Sequence, residues 1–301
     1  AALAGIAAEP GGPWRVVADS YNLYPSLLTV HGLDEVRAHN PLASRPYLSV
    51  LGAAFDFAPT SARYFSSFDH VEHPLLDFLG ARAVASHFGQ PKKHRLERLG
   101  PPGMRFRRQP GAGWVSTPGP YGIYELYRNP QALPRWFLPT AAETVPRART
   151  LTWIRHLSDA RRVALVSEQS AGWLPPPRPW QPDAVAALAS RPGRVVLAVA
   201  GNDDRLLATS LPGPFGWHAE AAGRQLPLLT VNGAFLGVRV PPEVHTVELR
   251  YLPPGLVPGA TMAGLAALLL AAIAVVAWRG RGQAPPLHQN ASAESPRDIS
   301  S

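Results

Sequence analysis

The stretch GATMAGLAALLLAAIAVVAW, residues 259–278, decides the organisation of this chain of 301 residues. It carries no charge, and as a helix it extends about 30 Å, the thickness of the hydrocarbon core of a bilayer. A buried core helix is the alternative. However, the stretch is apolar all round and is flanked by Pro258 and by Arg279 and Arg281. We therefore predict one C-terminal transmembrane helix at residues 259–278.

The charges after this helix predict its orientation. Arg279 and Arg281 follow it directly, and basic residues favour the cytoplasmic side of a membrane. We therefore expect a protein of the cell membrane whose body is extracytoplasmic, with residues 279–301 as a disordered cytoplasmic tail. Ala263, Ala267 and Ala271 recur at a spacing that lets helices approach closely in lipid. This spacing predicts contact with other transmembrane helices of the same full-length protein, although an alanine-rich composition also produces it.

Composition excludes several kinds of site. The chain has no cysteine, so disulfides, thiolate metal sites and cysteine nucleophiles are impossible. Its 34 prolines and 26 glycines favour many short elements joined by turns. At the beginning, residues 1–13 form a short stub with an apolar start. We expect either that a signal peptide has been removed before this stub or that the chain is the C-terminal piece of a longer protein, in which case the stub is the end of a preceding membrane helix.

Most of the net charge of +8 comes from one short segment. Its basic residues are Lys92, Lys93, Arg95, Arg98, Arg105, Arg107 and Arg108. A solvated loop around the Gly100-Pro-Pro-Gly103 turn explains this charge most simply. The second interpretation is contact with the phosphates of membrane lipid. The third, nucleic acid, would need a basic face on a known module, so we expect no nucleic-acid partner.

The body of the chain divides into two patterns. Short β-rich runs at residues 194–199, 206–210, 228–231, 234–240 and 246–251 are separated by turn residues, and Asn232-Gly233 is a strong hairpin signal. They predict a small antiparallel β-sandwich at residues 176–257. Before it, residues 14–175 mix strands (14–18, 121–127, 161–167) with short helices (46–58, 74–80). The predicted fold is therefore an α+β extracytoplasmic region, then the sandwich, then the transmembrane helix.

Candidate sites are few. Trp217 and His218 follow a Pro-Phe-Gly turn and could contact a glycan, although a tryptophan in a β-sandwich usually belongs to the core. Asp69, His70, Glu72 and His73 could bind a metal, but Pro74 restricts the backbone, so an exposed polar turn is favoured. Similarly, the turn at residues 202–204 could bind Ca²⁺ or simply close a hairpin. We predict no metal and no cofactor in this chain, and no catalytic template is recognisable.

Three segments of the sequence form a recognisable series. The first joins Asn40-Pro-Leu42 and Arg45-Pro-Tyr47 to the stretch 73–82, HPLLDFLGAR. The second is residues 124–138, YELYRNPQALPRWFL. The third runs from 206 to 217, LLATSLPGPFGW, through Asn232-Gly-Ala-Phe235 to the stretch 244–253 and the membrane helix. In this order, the three segments together resemble the C-terminal region of the YfhO-like bacterial membrane proteins. The sequence departs from the family pattern at Ala221-Ala-Gly223 and at Pro242-Glu243, which bears on turn geometry.

The resemblance implies a large polytopic membrane protein of the GT-C glycosyltransferase type. Such enzymes move a sugar from a polyprenyl-phosphate carrier onto a cell-envelope acceptor. Their catalytic and metal-binding carboxylates lie on loops between N-terminal transmembrane helices, so no residue here receives a catalytic role. The leading hypothesis is a C-terminal portion that shapes or binds the acceptor, with a glycan or polyprenyl-phosphate sugar as partner. The alternative is a non-catalytic, single-span surface protein that binds a glycan or a partner protein.

Overall fold

The computed structural model describes residues 2–18, 32–37, 44–57, 68–87, 95–100, 104–111, 113–118, 124–168 and 172–281. The chain divides into two compact units, Ala1–Leu252 and Pro253–Ser301. The first unit consists mainly of β-sheets with a few short helices, and the second contains one long apolar helix. The antiparallel-rich sheets fit a β-sandwich-like fold.

The strands of the described residues, in chain order, are β1 Arg15–Ala18, β2 Asp34–Glu35, β3 Ala81–His87, β4 Glu97–Arg98, β5 Met104–Gln109, β6 Gly113–Pro118, β7 Tyr124–Arg128, β8 Trp136–Phe137, β9 Ala141–Val145, β10 Val163–Ser167, β11 Val185–Arg191, β12 Arg194–Val199, β13 Arg205–Pro212, β14 Trp217–Ala221, β15 Arg224–Gln225, β16 Leu228–Val231, β17 Phe235–Val240 and β18 Thr246–Tyr251. The helices are α1 Ala2–Ala7, α2 Arg45–Phe55, α3 Leu75–Phe78, a 3₁₀ turn at Arg147–Arg149, α4 Thr150–Arg155 and α5 Leu256–Arg281.

Local sequence sets the ends of α2. The hydroxyl of Ser44, its N-cap, accepts a hydrogen bond from the amide of Tyr47, and Pro46 suits the first turn, where an amide would have no helical partner. The helix ends where Asp56 adopts a left-handed backbone with φ of 50°. The structure therefore confirms the predicted helix at 46–58, with slightly different ends.

Three main sheets build the first unit, and the second of them is the central layer. The first sheet has the strand order β2-β1-β3-β7-β4, the second β8-β13-β17-β16-β10-β9, and the third β11-β12-β18-β14-β15. Successive residues of β13 point to opposite faces, as in any strand. Leu206 joins the core cluster that contains α2 and α3, whereas Leu207 joins the cluster shared with the third sheet. The second sheet is thus covered on both faces.

The core between the second and third sheets is made from alternating apolar positions. Leu197 and Leu249 of the third sheet share one cluster with Leu236 and Val238 of β17, and all four side chains are buried. On the other face of the second sheet, Phe235 packs edge-on against Phe78 of α3, with ring centroids 4.8 Å apart. Aromatic pairs of this geometry add to the stabilisation from burial alone. The alternation fits a sandwich-like packing of the second and third sheets.

The predicted hairpin at Asn232-Gly233 is confirmed. Both residues have positive φ, 47° and 78°, as the tight turn between β16 and β17 requires. The Asn232 side-chain oxygen accepts a hydrogen bond of 3.0 Å from the amide of Leu165. The turn therefore also attaches β10 to the hairpin.

The second sheet draws strands from both predicted regions. β8, β9 and β10 lie between residues 136 and 167, yet they join β13, β16 and β17 in one sheet. The boundary that we placed between 14–175 and 176–257 stays a prediction, as do the limits of the stub at 1–13. Within that stub, α1 contributes Ile6 to a small core with Val16 and Leu126.

The predicted C-terminal helix is confirmed and extends a few residues beyond 259–278 at both ends. α5 is long and apolar enough to cross a membrane, and its side chains from Leu256 to Trp278 are exposed along its length. An apolar helix without a protein partner is stable in lipid rather than in water. The predicted tail lies outside the described residues from position 282 onward.

Candidate functional site: a cavity beside the second sheet

A cavity of about 880 Å³ lies between the helices and the second sheet of the first unit. Its walls come from the beginning of α2, the segment from the end of β9 through the 3₁₀ turn into α4, the strand β10, the turn after β13, and the β16–β17 hairpin. This volume is in the range of pockets that hold small molecules. The cavity therefore provides a concave surface on which a site can be built from described residues.

Two arginines give the cavity its charge. Arg45, the first residue of α2, and Arg147, in the 3₁₀ turn, both line it and are both exposed. Glu168, just after β10, is the carboxylate of the lining. A guanidinium offers several donors in a planar fork that matches carboxylate and phosphate groups. The excess of cations therefore favours a ligand with an anionic group.

Hydroxyl and apolar groups complete the lining. Ser49, Thr150, Ser167 and Thr230 provide hydroxyls that both donate and accept hydrogen bonds. Phe215, in the turn between β13 and β14, also lines the cavity, and its side chain is 79% exposed. An aromatic face next to hydroxyls and guanidinium groups is chemically suited to a sugar ring.

The predicted glycan contact at Trp217 and His218 lies beside this cavity but not in its lining. The Trp217 indole donates a 2.9 Å hydrogen bond to the carbonyl of Pro212, and its ring lies 5.2 Å from that of Tyr251. It also packs against the core between the second and third sheets. Strand alternation in β14 turns exposed His218 to the opposite face, so the two side chains do not form one surface. A role for either in glycan binding stays a prediction.

The basic segment separates into parts with different environments. Arg95 donates to a carboxylate oxygen of Asp77 at 2.6 Å and to Gln131 at 2.8 Å. Arg98, in β4, lies 3.7 Å from Glu125. Arg105, Arg107 and Arg108 lie on β5, which pairs with β6, so part of the segment is a hairpin strand rather than the loop that we expected. Lys92 and Lys93 fall outside the described residues, and contact of the segment with lipid phosphate stays a prediction.

The candidate cation sites show internal pairing. Asp204 hydrogen-bonds to Arg239 at 3.1 Å, and this bond lowers the pKa of its carboxyl, while Asp203 pairs with Arg178. Near α3, the Nδ1 atom of His73 accepts a hydrogen bond from the amide of Leu75 at 3.1 Å. Burial lowers the pKa of that imidazole.

Within the part of the chain that the structure describes, no three His, Asp or Glu side chains converge as a metal site would require. The turn at 202–204 and the turn before α3 are held together by their own ion pairs and hydrogen bonds. The turn at 202–204 does not close a hairpin, as the sequence suggested, because it links β12 of the third sheet to β13 of the second sheet.

Sequence reasoning did not assign the residues that shape the cavity. Arg45 was part of the Arg45-Pro-Tyr47 motif and Phe215 part of the Pro-Gly-Pro-Phe-Gly turn, but neither was assigned to a site. A large apolar residue in a turn is a usable signal, because turns are normally exposed. Arg147 carries no comparable signal.

Fold and site together define a class: a membrane-associated protein with a β-sandwich-like body that is followed in the sequence by an apolar helix. Residues 181–263 match the family model described as bacterial membrane protein YfhO, so the chain carries a YfhO-like C-terminal region. The match includes the third sheet and the beginning of α5. The match covers the third of the sequence segments that resemble the family as far as the beginning of the membrane helix, whereas the first two segments lie outside the match. Comparison with curated proteins and with solved structures finds no match.

Proposed function

We propose that this chain is the acceptor-binding C-terminal portion of a membrane glycosyltransferase that uses lipid-linked sugars. The observation that supports this proposal is the cavity lined by Arg45, Arg147 and Phe215, in a chain with a YfhO-like membrane region. The acceptor that fits this lining is a cell-envelope glycan with a phosphate or carboxylate group. The body lies on the extracytoplasmic side in this proposal, because Arg279 and Arg281 favour a cytoplasmic C-terminus.

The cavity residues would divide the work of binding. Arg45 and Arg147 would orient the anionic group through charge-assisted hydrogen bonds. The hydroxyls of Ser49 and Ser167 would exchange hydrogen bonds with sugar hydroxyls, and Phe215 would cover an apolar face of the ring. These contacts bind and orient the acceptor. No residue of this chain is assigned a role in the chemical step, which the family resemblance places on loops between N-terminal transmembrane helices.

A non-catalytic surface protein that binds glycan through the same cavity is the second candidate. α5 is the one helix among the described residues that could span a membrane, which is the arrangement of a single-span protein. Binding alone does not separate the two candidates. Sugar transfer from a polyprenyl-phosphate donor in membranes that contain the full-length protein supports the first, and binding without transfer supports the second.

The test of the cavity is glycan binding by the purified 301-residue chain in detergent. We expect binding of anionic envelope glycans, and we expect Arg45→Ala and Arg147→Ala each to weaken it by about tenfold, since a hydrogen bond to a charged group contributes roughly 1.5–3 kcal/mol. Arg149→Ala is the matched control, because Arg149 is exposed in the same turn but does not line the cavity. If Arg45→Ala, Arg147→Ala and Arg149→Ala all bind the glycans with equal affinity, the assignment of the cavity as the glycan site is refuted.

The aromatic contact can be tested in the same assay. Phe215→Ala should weaken binding, whereas Leu188→Ala, which removes an exposed apolar side chain from β11, should not. Trp217→Ala and His218→Ala test the sequence-based prediction. A loss confined to these two variants would move the glycan site out of the cavity and onto β14.

A further inference from the structure

We propose that the end of the third sheet that leads into α5 binds the surface of an anionic lipid bilayer. The surface concerned, named here the membrane rim, is this end of the sheet with the side chains that flank it. Trp217 and Tyr251 flank it on one face, with Phe215 and Leu252 in the adjoining turns, and Arg191, Arg194 and Arg250 flank it on the other face. The rim shares Phe215 with the cavity but otherwise lies outside the proposed glycan site, and it differs from the basic segment at residues 92–108. Three independent features support it: exposed apolar side chains, surplus positive charge, and a short covalent connection to the membrane helix.

The first feature is an apolar cluster on the surface of the first unit. Phe215, Tyr251 and Leu252 are 79%, 41% and 43% exposed. They are held close together, since the amide of Leu252 donates a 2.8 Å hydrogen bond to the carbonyl of Gly216 and the Trp217 ring lies tilted against the Tyr251 ring, with centroids 5.2 Å apart. Contiguous exposed apolar groups mark interaction surfaces. Tyrosine and tryptophan in particular are enriched where protein meets the headgroup layer.

The second feature is the positive charge on the other face of the same end of the sheet. Arg194 and Arg250 lie opposite each other in the register of β12 and β18, and Arg191 precedes the turn between β11 and β12. That turn lies beside Tyr251, whose amide donates a 2.7 Å hydrogen bond to the carbonyl of Gly193.

Glu248 is the acidic partner of these arginines, hydrogen-bonded to Arg194 at 2.7 Å and also paired with Arg250. One carboxylate therefore serves two of the three arginines, and the rim keeps a net positive charge. Basic side chains next to an anionic leaflet contribute attraction that falls off within a Debye length.

The third feature is the short length of chain between the rim and the membrane helix. β18 ends at Tyr251, and α5 begins at Leu256. A fully extended chain spans at most about 3.5 Å per residue, so four residues keep Leu252 within about 14 Å of the beginning of the helix in any arrangement. The rim is therefore tethered close to the lipid headgroups. Such a tether raises the effective concentration of lipid at the rim and makes even weak contacts significant.

The experiment uses the full chain and its lack of cysteine. A single Phe215→Cys variant carries a bimane fluorophore, and the protein is reconstituted in vesicles that contain a headgroup spin-labelled lipid as quencher. Glu243→Cys is the matched control, because residue 243 is exposed in the turn before β18, at the other end of that strand. We expect severalfold stronger quenching at position 215. Equal quenching at both positions, or stronger quenching at 243, would overturn the proposal.

The charge is tested in the same labelled background. Quenching at position 215 should be stronger in phosphatidylglycerol-containing vesicles than in phosphatidylcholine vesicles, and added salt should reduce the difference. The quenching gives the fraction of molecules whose rim is bound to the bilayer. In the anionic vesicles, Arg250→Gln should lower the ratio of molecules with a bound rim to molecules with an unbound rim roughly fivefold. Arg224→Gln, at the far end of the same sheet, should not. Quenching that is insensitive to lipid charge and to Arg250→Gln would overturn the electrostatic part, and unchanged thermal unfolding of each variant shows that the fold is intact.

Discussion

Gly237 lies at the most tightly packed glycine position of the second sheet. A β-carbon added there would come within 2.5 Å of a methyl group of Val231 and 3.3 Å of one of Leu206. Its neighbours in the register are Ala208 of β13 and Leu229 of β16. Because both adjacent strands are fixed by the ladder, the sheet cannot move away from an added methyl group. We predict that Gly237→Ala lowers the free energy of unfolding by about 2 kcal/mol through overpacking.

The source of this cost can be isolated with a second substitution. Val231 is fully buried, so Val231→Ala alone should cost about 2 kcal/mol because it leaves a cavity. In the double variant, however, the alanine at 237 occupies the space that the valine methyl vacates. We therefore expect the double variant to lose about 2 kcal/mol of unfolding free energy rather than the sum of the two single losses. The difference between that sum and the expected loss is a coupling energy of roughly 2 kcal/mol.

The measurement is thermal unfolding of the detergent-solubilised chain, followed by tryptophan fluorescence. A loss of about 2 kcal/mol should lower Tm by roughly 4–8 °C in a unit of this size. Gly172→Ala is the control, because nothing lies within 4 Å of the position of its added β-carbon. It should change Tm by less than about 2 °C. Additive effects of Gly237→Ala and Val231→Ala would refute the steric explanation.

Three further predictions concern the body and the membrane helix. Buried Arg15 donates to the carbonyl of Leu79 and to the hydroxyl and carbonyl of Ser210, so Arg15→Ala should cost about 3 kcal/mol and Ser210→Ala about 1 kcal/mol, measured by Tm. Burial lowers the pKa of His73, so the stability tied to its neutral form is complete above the unfolded value near 6.5 and is lost as pH falls below it. His73→Asn should reduce that acid-side loss of Tm, whereas His156→Asn, at an exposed position, should not. A reporter fused after Ser301 should be active only in the cytoplasm, and exterior activity would contradict the predicted orientation.

Part of the third sheet shows where local patterns fail. Residues 185–191, VAALASR, form β11, although alanine has low strand propensity and the run lacks a clear alternation. Its pairing with β12, from Val185 opposite Val199 to Arg191 opposite Arg194, supplies the stabilisation that local propensity does not. The formation of β11 therefore depends on its pairing with β12 and not on local propensity.

The candidate site was not predictable for a related reason. Arg45 begins α2, Arg147 follows β9, and Phe215 lies in the turn after β13, so the cavity joins residues that are as far as 170 positions (Arg45 to Phe215) and more apart in the sequence. The residues next to each arginine in the sequence do not indicate which of the many arginines in this chain line the same cavity. The pairing of β8 with β13, residues 137 and 208 in register, is equally remote. Such contacts depend on closing long loops, and short windows of sequence contain no information about that closure.

What the sequence by itself determined is the set of features whose physics is local. The membrane helix follows from the transfer of one continuous apolar segment into lipid, and the Asn232-Gly233 turn follows from the φ angles that its two residues adopt at low cost. Only the tertiary structure decided which strands share the second sheet, which arginines line the cavity, and that the aromatic and basic side chains of the membrane rim lie at one end of the third sheet. These outcomes depend on pairing between distant strands, where the free energy comes from burial shared by segments that no single window contains.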